Sequence, residues 1–485
     1  MKIIRGIIQN ALLIALVLAA STVIWAKSLK IDVELRKTLE RNGHANILVS
    51  MSAGTQDILD NLSSKSFSSR TERSQAVYDA LTARAQSSQR EILAFLASTS
   101  TLEQYKYGNV QSFWITNQIG IQVASEEFIV ILASMDEISL IQEDDIAHLD
   151  LPVIENRNTT DPTVNQWGVE AINAPSAWLL FNGTTGFGIT VANIDTGVRY
   201  THEILRDTYK NDDHSWYDPY NQTEIPADYH GHGTHTMGTI VGSNGFGVAP
   251  QSRWIACKGL YDDNFGSGLN LLACGQFMVC PTEFTGANPD CSKTPHIVSN
   301  SWGQGSGAST YYDGMIAAWH AAGIIPVFSL GNAGTNCNTA RSPGDRNVIG
   351  VGSTTILDEL SYFSSVGPTR DHIIKPDISA PGSLVVSAGH LNDDAYRTMS
   401  GTSMACPHVA GTIALLLSRN GNLTYVEIRS LLQSYADRNL TFSNVTCNWI
   451  TDNVFPNHHF GYGRLNANRS LAALAEFNES PTMKV

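Results

Sequence analysis

The chain has 485 residues, 42% of them hydrophobic and 16% charged, and carries a net charge of −14 at pH 7. That is enough chain for two to three domains with a large core. The negative charge disfavours nucleic acid and anionic membrane surfaces as partners.

Taken in order, residues 1–26 read as a secretory signal. Lys2 and Arg5 give a positive start, residues 11–20 are an unbroken apolar run, and small residues follow at Ala20, Ser21 and Ala26. The run is shorter than the ~20 residues that span a bilayer. Cleavage and secretion are therefore expected, not stable membrane association. Seven cysteines, all after residue 250, suggest disulfides with one thiol left over. Cys406 is the expected free thiol and Cys280–Cys291 the expected pair. Cys257, Cys274, Cys337 and Cys447 have three ways to pair, and spacing does not choose among them. Nine Asn-x-Ser/Thr sites fit a secreted glycoprotein.

Residues 27–150 form a first unit without cysteine. Strands are expected at 46–51, 112–115 and 127–131, with helical spacing over 73–97 and a short helix at 135–140. Residues 139–145 close a small antiparallel sheet, giving an α+β module. The polar stretch 151–165 reads as a linker. From 166 to 475, apolar runs at 189–194, 254–257, 297–301, 324–329 and 348–352 alternate with helices at 270–279, 311–322 and 409–417. This pattern predicts an α/β unit, a parallel central sheet with helices on both faces. Functional groups gather at the carboxyl ends of such strands. Residues 476–485 form a tail.

Four residues stand at such ends. Asp195 closes the first run, followed by Thr196-Gly197. His232 opens a small-residue helix in Gly231-His232-Gly233-Thr234-His235. Asn332 lies in Gly331-Asn332-Ala333-Gly334, just past the fourth run. Ser403 lies in Ser400-Gly401-Thr402-Ser403-Met404-Ala405, where a buried helix begins. Singly, each reads as a turn, a loop or a helix cap. Jointly they supply a reaction. A serine hydroxyl is a weak nucleophile that needs a base; His232 takes its proton, and Asp195 orients the imidazole. Asn332 and the Ser403 N–H, at a helix start, face a developing oxyanion. Asp195-Thr196-Gly197 is also an aspartic-protease signature, but no second copy exists, so that chemistry would need a homodimer. A catalytically silent binding protein is the other competing reading.

Residues 165–475 resemble the subtilisin-like serine proteases. The resemblance rests on Ile194-Asp195-Thr196-Gly197, His232-Gly233-Thr234-His235, Ser301-Trp302-Gly303, Gly331-Asn332 and Gly401-Thr402-Ser403-Met404-Ala405 with Pro407-His408-Val409-Ala410-Gly411. Lys375-Pro376-Asp377, Ala380-Pro381-Gly382 and Gly461-Tyr462-Gly463-Arg464-Leu465-Asn466-Ala467 fit the same pattern. Trp167-Gly168-Val169 with Ile172-Asn173-Ala174-Pro175 and Trp178 looks most like the bacillopeptidase F branch. Met237 and Cys406 depart from the family, each standing where smaller residues are common.

The resemblance implies a secreted, monomeric endopeptidase acting on proteins or peptides, with no cofactor for catalysis. Substrate would lie as an added strand along Ser301-Trp302-Gly303. Residues 27–150 resemble the family's propeptide, an intramolecular chaperone and inhibitor. Asp145-Ile146-Ala147-His148 resembles its end, so self-cutting is expected near Asp150–Leu151. The resemblance leaves structural calcium open, since family members often bind it and loops such as Asp262-Asp263-Asn264 or Asp212-Asp213 could supply oxygens. Alignment of Ser342-Pro343-Gly344 puts Arg341 at the substrate pocket, where a cation favours an acidic side chain.

Overall fold

In the first unit, an antiparallel sheet is laid over helices. A computed structural model describes residues 30–100, 105–149, 153–155, 165–181, 183–305 and 307–479. The expected signal, the Asp150–Leu151 bond, most of 151–165 and the end of the tail lie outside these residues. Among the described residues, no helix is long and apolar enough to cross a membrane. The described residues divide into two compact units, one within 1–58 and 79–144, the other within 59–78 and 145–485.

The elements of the N-terminal part run α1 (Val33–Asn42), β1 (His44–Met51), α2 (Gln56–Ser63), α3 (Arg70–Ser88), α4 (Arg90–Thr99), β2 (Val110–Phe113), β3 (Gln118–Ser125), α5 (Glu126–Ala133) and β4 (Ile138–Glu143). The sheet order is β2-β3-β1-β4, antiparallel throughout. Its core joins Ile47 and Val49 of β1, Ile119 and Ile121 of β3, and Phe128, Ile129 and Leu132 of α5.

Several local expectations are corrected here. Residues 127–131 are helical, not a strand. Ser125 caps α5 by accepting from Phe128 N at 3.4 Å, and Glu126 and Glu127 sit in the first turn, where a helix favours negative charge. Residues 135–140 are a turn leading into β4, not a helix: Ile138 and Ile141 are buried and β4 pairs with β1. The single helix expected over 73–97 is broken at Gln89, whose buried amide Nε2 donates to Asn117 Oδ1 at 3.0 Å. The strand expected at 112–115 ends at Phe113. A tight turn follows, with Asn117 at φ 52°.

The second unit begins, after the α2–α3 segment, with β5 (Ile146–His148) and β6 (Val153–Glu155). It continues through α6 (Trp167–Ala171), α7 (Ala174–Leu180), β7 (Thr190–Asp195), β8 (Trp216–Tyr217), α8 (His232–Val241), β9 (Arg253–Lys258), β10 (Phe265–Ser267), α9 (Gly268–Val279), β11 (Ile297–Asn300), α10 (Asp313–Ala322), β12 (Ile325–Ser329), β13 (Ile349–Thr354) and β14 (Ile378–Pro381). It ends with β15 (Val385–Ala388), β16 (Tyr396–Ser400), α11 (Thr402–Arg419) and α12 (Tyr425–Ser434), before a short hairpin and a last helix. Seven strands form one parallel sheet in the order β14-β13-β12-β11-β7-β9-β8. The expected α/β architecture is therefore present.

Alternation along β7 sets the active face. Asn193 Nδ2 donates to Gly233 O at 3.1 Å and Thr236 Oγ1 at 3.2 Å, so Val191, Asn193 and Asp195 face α8. Ile194 points the other way and meets Leu271 of α9 above Gly259. Met237 is fully buried in α8, and the core there joins Val191, Ile297, Val327 and Ile349 to Val409 and Ile413 of α11. Three disulfides are present, Cys257–Cys274, Cys280–Cys291 and Cys337–Cys447, and Cys406 is free, as expected.

Candidate active site

Asp195 ends β7 and is fully buried. Its Oδ1 accepts from Thr196 N at 2.8 Å and lies 2.7 Å from His232 Nδ1, while Oδ2 accepts from Thr236 Oγ1 at 3.3 Å. A carboxylate that accepts several hydrogen bonds is held in one orientation. His232 is the first residue of α8. The approach depends on Gly233, because a Cβ there would stand 2.2 Å from Gly197 O and 3.0 Å from Asp195 Cβ. His232 Nε2 has no hydrogen-bond partner among the described residues.

Ser403 is the second residue of α11 and is buried. Its Oγ donates to Ser301 O at 3.1 Å, and Ser301 Oγ donates to Ser403 O at 2.9 Å. The hydroxyl is thus turned toward Ser301; catalytic hydrogen bonds are often unformed before substrate arrives. Asn332 Oδ1 accepts from Thr402 N at 2.9 Å and Thr402 Oγ1 at 2.8 Å. With its oxygen held there, the Asn332 Nδ2 donors face the Gly401 side. The point a Gly401 Cβ would occupy is 3.1 Å from Asn332 Nδ2 and 3.6 Å from Ser403 N. Two donors, Asn332 Nδ2 and Ser403 N, therefore lie close to the same point beside Gly401.

Of the predicted substrate edge, Ser301 touches Ser403 and Gly303 pairs with a strand. Trp302 points inward, 1% exposed, edge-on to Tyr312 and Phe328, so only its backbone faces the cleft. The strand on Gly303 is β5: His148 N donates to Gly303 O at 2.8 Å and Gly303 N to His148 O at 3.1 Å. On its other side β5 pairs antiparallel with β10. Asp145 accepts from Gln304 Nε2, and its carbonyl accepts from Gly268 N at 2.7 Å. Downstream, β6 pairs antiparallel with β16, Val153 opposite Ser400. The strands before and after residues 149–152 therefore flank the start of α11. Arg341 is half-buried, and its side chain runs beside Gly331.

Several neighbours escaped the sequence reading. Thr402 orients Asn332, though as a helix-start threonine it reads as an ordinary cap. Asp228, four residues before His232, accepts from Thr196 Oγ1 at 3.0 Å and Thr234 Oγ1 at 2.6 Å, bracing the turns that follow Asp195 and His232. β10 forms the second wall; its only signal is the Asn264-Phe265-Gly266-Ser267-Gly268 turn chemistry. His235 takes no part: Nε2 lies 3.1 Å from both Val385 O and Arg397 O, and burial pushes its pKa down to about 3. Burial also pushes the Cys406 thiol up to about 12, with Asp195 adding to the rise.

Asp262 Oδ1 is bonded to Lys258 Nζ at 2.7 Å and Asp212 Oδ2 to Lys293 Nζ at 2.9 Å. Among the described residues no group of three or more His, Cys, Asp or Glu is placed to hold a metal.

The model of the Subtilase family, Peptidase_S8, matches residues 186–463, more than half of the chain. The chain belongs to the subtilase family. This subtilase is 32% identical over 436 residues to bacillopeptidase F of Bacillus subtilis (strain 168), covering 83% of the chain but 29% of that protein. It is 33% identical over 289 residues to the serine protease AprX of the same organism, covering 52% of the chain and 62% of that protein. It is 29% identical over 314 residues to the subtilase-type proteinase psp3 of Schizosaccharomyces pombe, covering 63% of each. The match spans less than two thirds of the length of each of these relatives.

Proposed function

We propose that this subtilase is a secreted serine endopeptidase, made as a zymogen that cuts its own chain near Asp150–Leu151. In the reaction, His232 Nε2 takes the proton from Ser403 Oγ as that oxygen attacks the peptide carbonyl. Asp195 holds the Nδ1–H and stabilises the imidazolium. The tetrahedral oxyanion lies between Asn332 Nδ2–H and Ser403 N–H. His232 then gives its proton to the departing amine, leaving an ester on Ser403 that water hydrolyses by the same steps in reverse order. Substrate binds by adding a strand between Ser301–Gly303 and β10, with main-chain hydrogen bonds holding it.

The observation that carries the zymogen reading is the pair of strands β5 and β6. They flank the start of α11 on either side of residues 149–152. Residues 27–150 then act as propeptide, an inhibitor whose own end occupies the cleft. Secretion is supported by the three disulfides, which persist in oxidising compartments. Exposed sequons at Asn61, Asn221, Asn422, Asn439 and Asn444 fit glycosylation.

A fluorophosphonate probe, which reacts with activated serines, tests the assignment. The processed protein is expected to be labelled at Ser403, with labelling lost in His232→Ala. Processed protein that takes no label would favour a binding protein on a protease scaffold.

A further inference from the structure

We infer that Arg70 and Arg73 form a second anchor that keeps the N-terminal part on the enzyme after the self-cut, so that the active site is freed only when this anchor lets go; the inference rests on the zymogen reading above. Residues 59–78 lie, in sequence, inside the expected propeptide. By their contacts they belong to the unit that holds Asp195, His232 and Ser403. Arg70 and Arg73 stand in the first turn of α3, three residues apart and so on one face. Arg70 Nη1 donates to Gly323 O at 2.7 Å and Nη2 to Pro295 O at 2.8 Å. Arg73 Nε donates to Ala321 O at 2.6 Å and Nη2 to His320 O at 2.9 Å. The carbonyls of His320, Ala321 and Gly323 close the C-terminus of α10.

A helix C-terminus leaves its last carbonyls without donors from the helix and carries partial negative charge, so it takes cations. α10 stops at Gly323, which is left-handed at φ 75°. Ile325 N, which a longer helix would turn to Ala321 O, donates instead to His296 O at 2.9 Å. Arg73 takes its place. Glu72, the carboxylate between the two arginines, accepts from Ser68 N at 2.7 Å and so closes the start of α3. Burial pulls Arg70 down to about 10, with the Arg73 charge adding to the fall, and it stays a cation at neutral pH. Burying two like charges side by side is costly, and the cost is offset only while the α10 carbonyls face them. The contact is polar more than packed. A cavity of about 410 Å³ lined by Lys65, Phe67, Arg70, Ile325, Leu423 and Tyr425 lies beside it. The core around Val191 and Val409 takes no described residue of 59–78. The arginine pair and β5 on Gly303 are thus two anchors on one chain, joined by residues 79–144. Losing one leaves the other tethered at high local concentration, so release needs both to open.

The test follows the full chain through self-cutting, as wild type, as Arg70→Ala/Arg73→Ala and as Arg70→Lys/Arg73→Lys. Arg90→Ala, at an exposed arginine of α4 outside the contact, is the control. Intact mass of the protein leaving a sizing column shows whether the cut fragment is retained, and a set of fluorogenic peptides shows when the active site opens. In the wild type the fragment is expected to co-elute with the catalytic part, and peptide hydrolysis to lag behind the cut. The alanine pair should cut at the same bond yet lose the fragment, with the lag shortened about 10- to 100-fold, the range of charge-assisted hydrogen bonds. The lysine pair keeps the charge but not the fork and should fall between; Arg90→Ala should match the wild type. If the alanine pair does not fold, the lysine pair decides, and a lag equal to that of the wild type overturns the inference. So does an alanine pair that holds the fragment as long as the wild type, because β5 is then the whole anchor. Wild-type fragments that part as soon as the bond is cut overturn it as well. A wild-type chain that never cuts itself overturns the zymogen reading, and this inference with it.

Discussion

Asp195 Oδ1 and His232 Nδ1 are 2.7 Å apart, both fully buried. Because an ionised carboxylate only accepts, the hydrogen is on Nδ1 and the lone pair of the neutral ring is on Nε2. Among the described residues Nε2 is left without a partner, and it is the atom a base needs. Asp195→Asn presents a donor or acceptor of nearly the same shape and lets the wrong tautomer form. It is expected to lower kcat by about 10⁴ without changing the melting temperature much. Active-site-titrated kinetics check this; a loss below tenfold would mean that the pair is structural.

Asn332 and Thr402 form the second relationship. Asn332→Ala is expected to lower kcat by about 10²–10³ with little change in KM, a magnitude known from subtilisin itself. Thr402→Val removes one of the two bonds that hold Asn332 Oδ1, leaving the Thr402 N–H. A loss of about fivefold in kcat is expected, one hydrogen bond's worth of positioning. If the loss in Asn332→Ala falls wholly on KM, Asn332 binds substrate and not the transition state.

Buried histidines set the acid limit of stability. Burial pushes His235 and His296 down to about 3 and His408 down to about 4. In the unfolded chain histidine titrates near ~6.5. Between those values the unfolded state binds more protons, so stability rises with pH. The contribution is fully present above ~6.5 and is lost as pH falls toward 4, at up to about 1.4 kcal/mol per pH unit for each histidine. Urea midpoints of the Ser403→Ala protein, which cannot digest itself, should fall clearly from pH 7 to pH 5. Equal midpoints would contradict the burial of these rings as neutral groups.

A buried ion cluster braces β13 and β14. Lys375 Nζ lies 2.6 Å from Asp377 Oδ2 and donates to Val348 O at 2.8 Å, while Arg429 binds Asp377 Oδ1 at 2.5 and 2.8 Å. Burial lowers the pKa of Lys375, but Asp377 opposes that shift. Asp377→Ala leaves the Lys375 cation buried and uncompensated, expected to cost about 3–5 kcal/mol. Chemical unfolding of the Ser403→Ala background measures it. A cost under about 1 kcal/mol would mean that the cluster opens to water.

The sheet was legible because buried parallel strands are short apolar runs bounded by turns, as in residues 189–194 and 324–329. The candidate site residues stand out in the sequence because their neighbours are constrained: glycine at 233 for close approach, and small residues around Ser403 at a helix start. The α5 error has a physical cause. Phe128 to Ile131 is a run short enough to fit either period, and the deciding feature was Ser125, a cap three residues upstream of Phe128. The Cys337–Cys447 bridge spans 110 residues and joins the loop after Asn332 to the C-terminal hairpin, a proximity that only the fold creates. The pairing of His148 with Gly303 is likewise a tertiary fact.

The most direct test is the intact mass and new N-terminus of the purified full chain, made as wild type and as Ser403→Ala. The account predicts that the wild type carries a new N-terminus at Leu151 and that Ser403→Ala stays joined across Asp150–Leu151. Ser403→Ala protein cut at that same bond would contradict the claim that Ser403 is the nucleophile that processes its own chain.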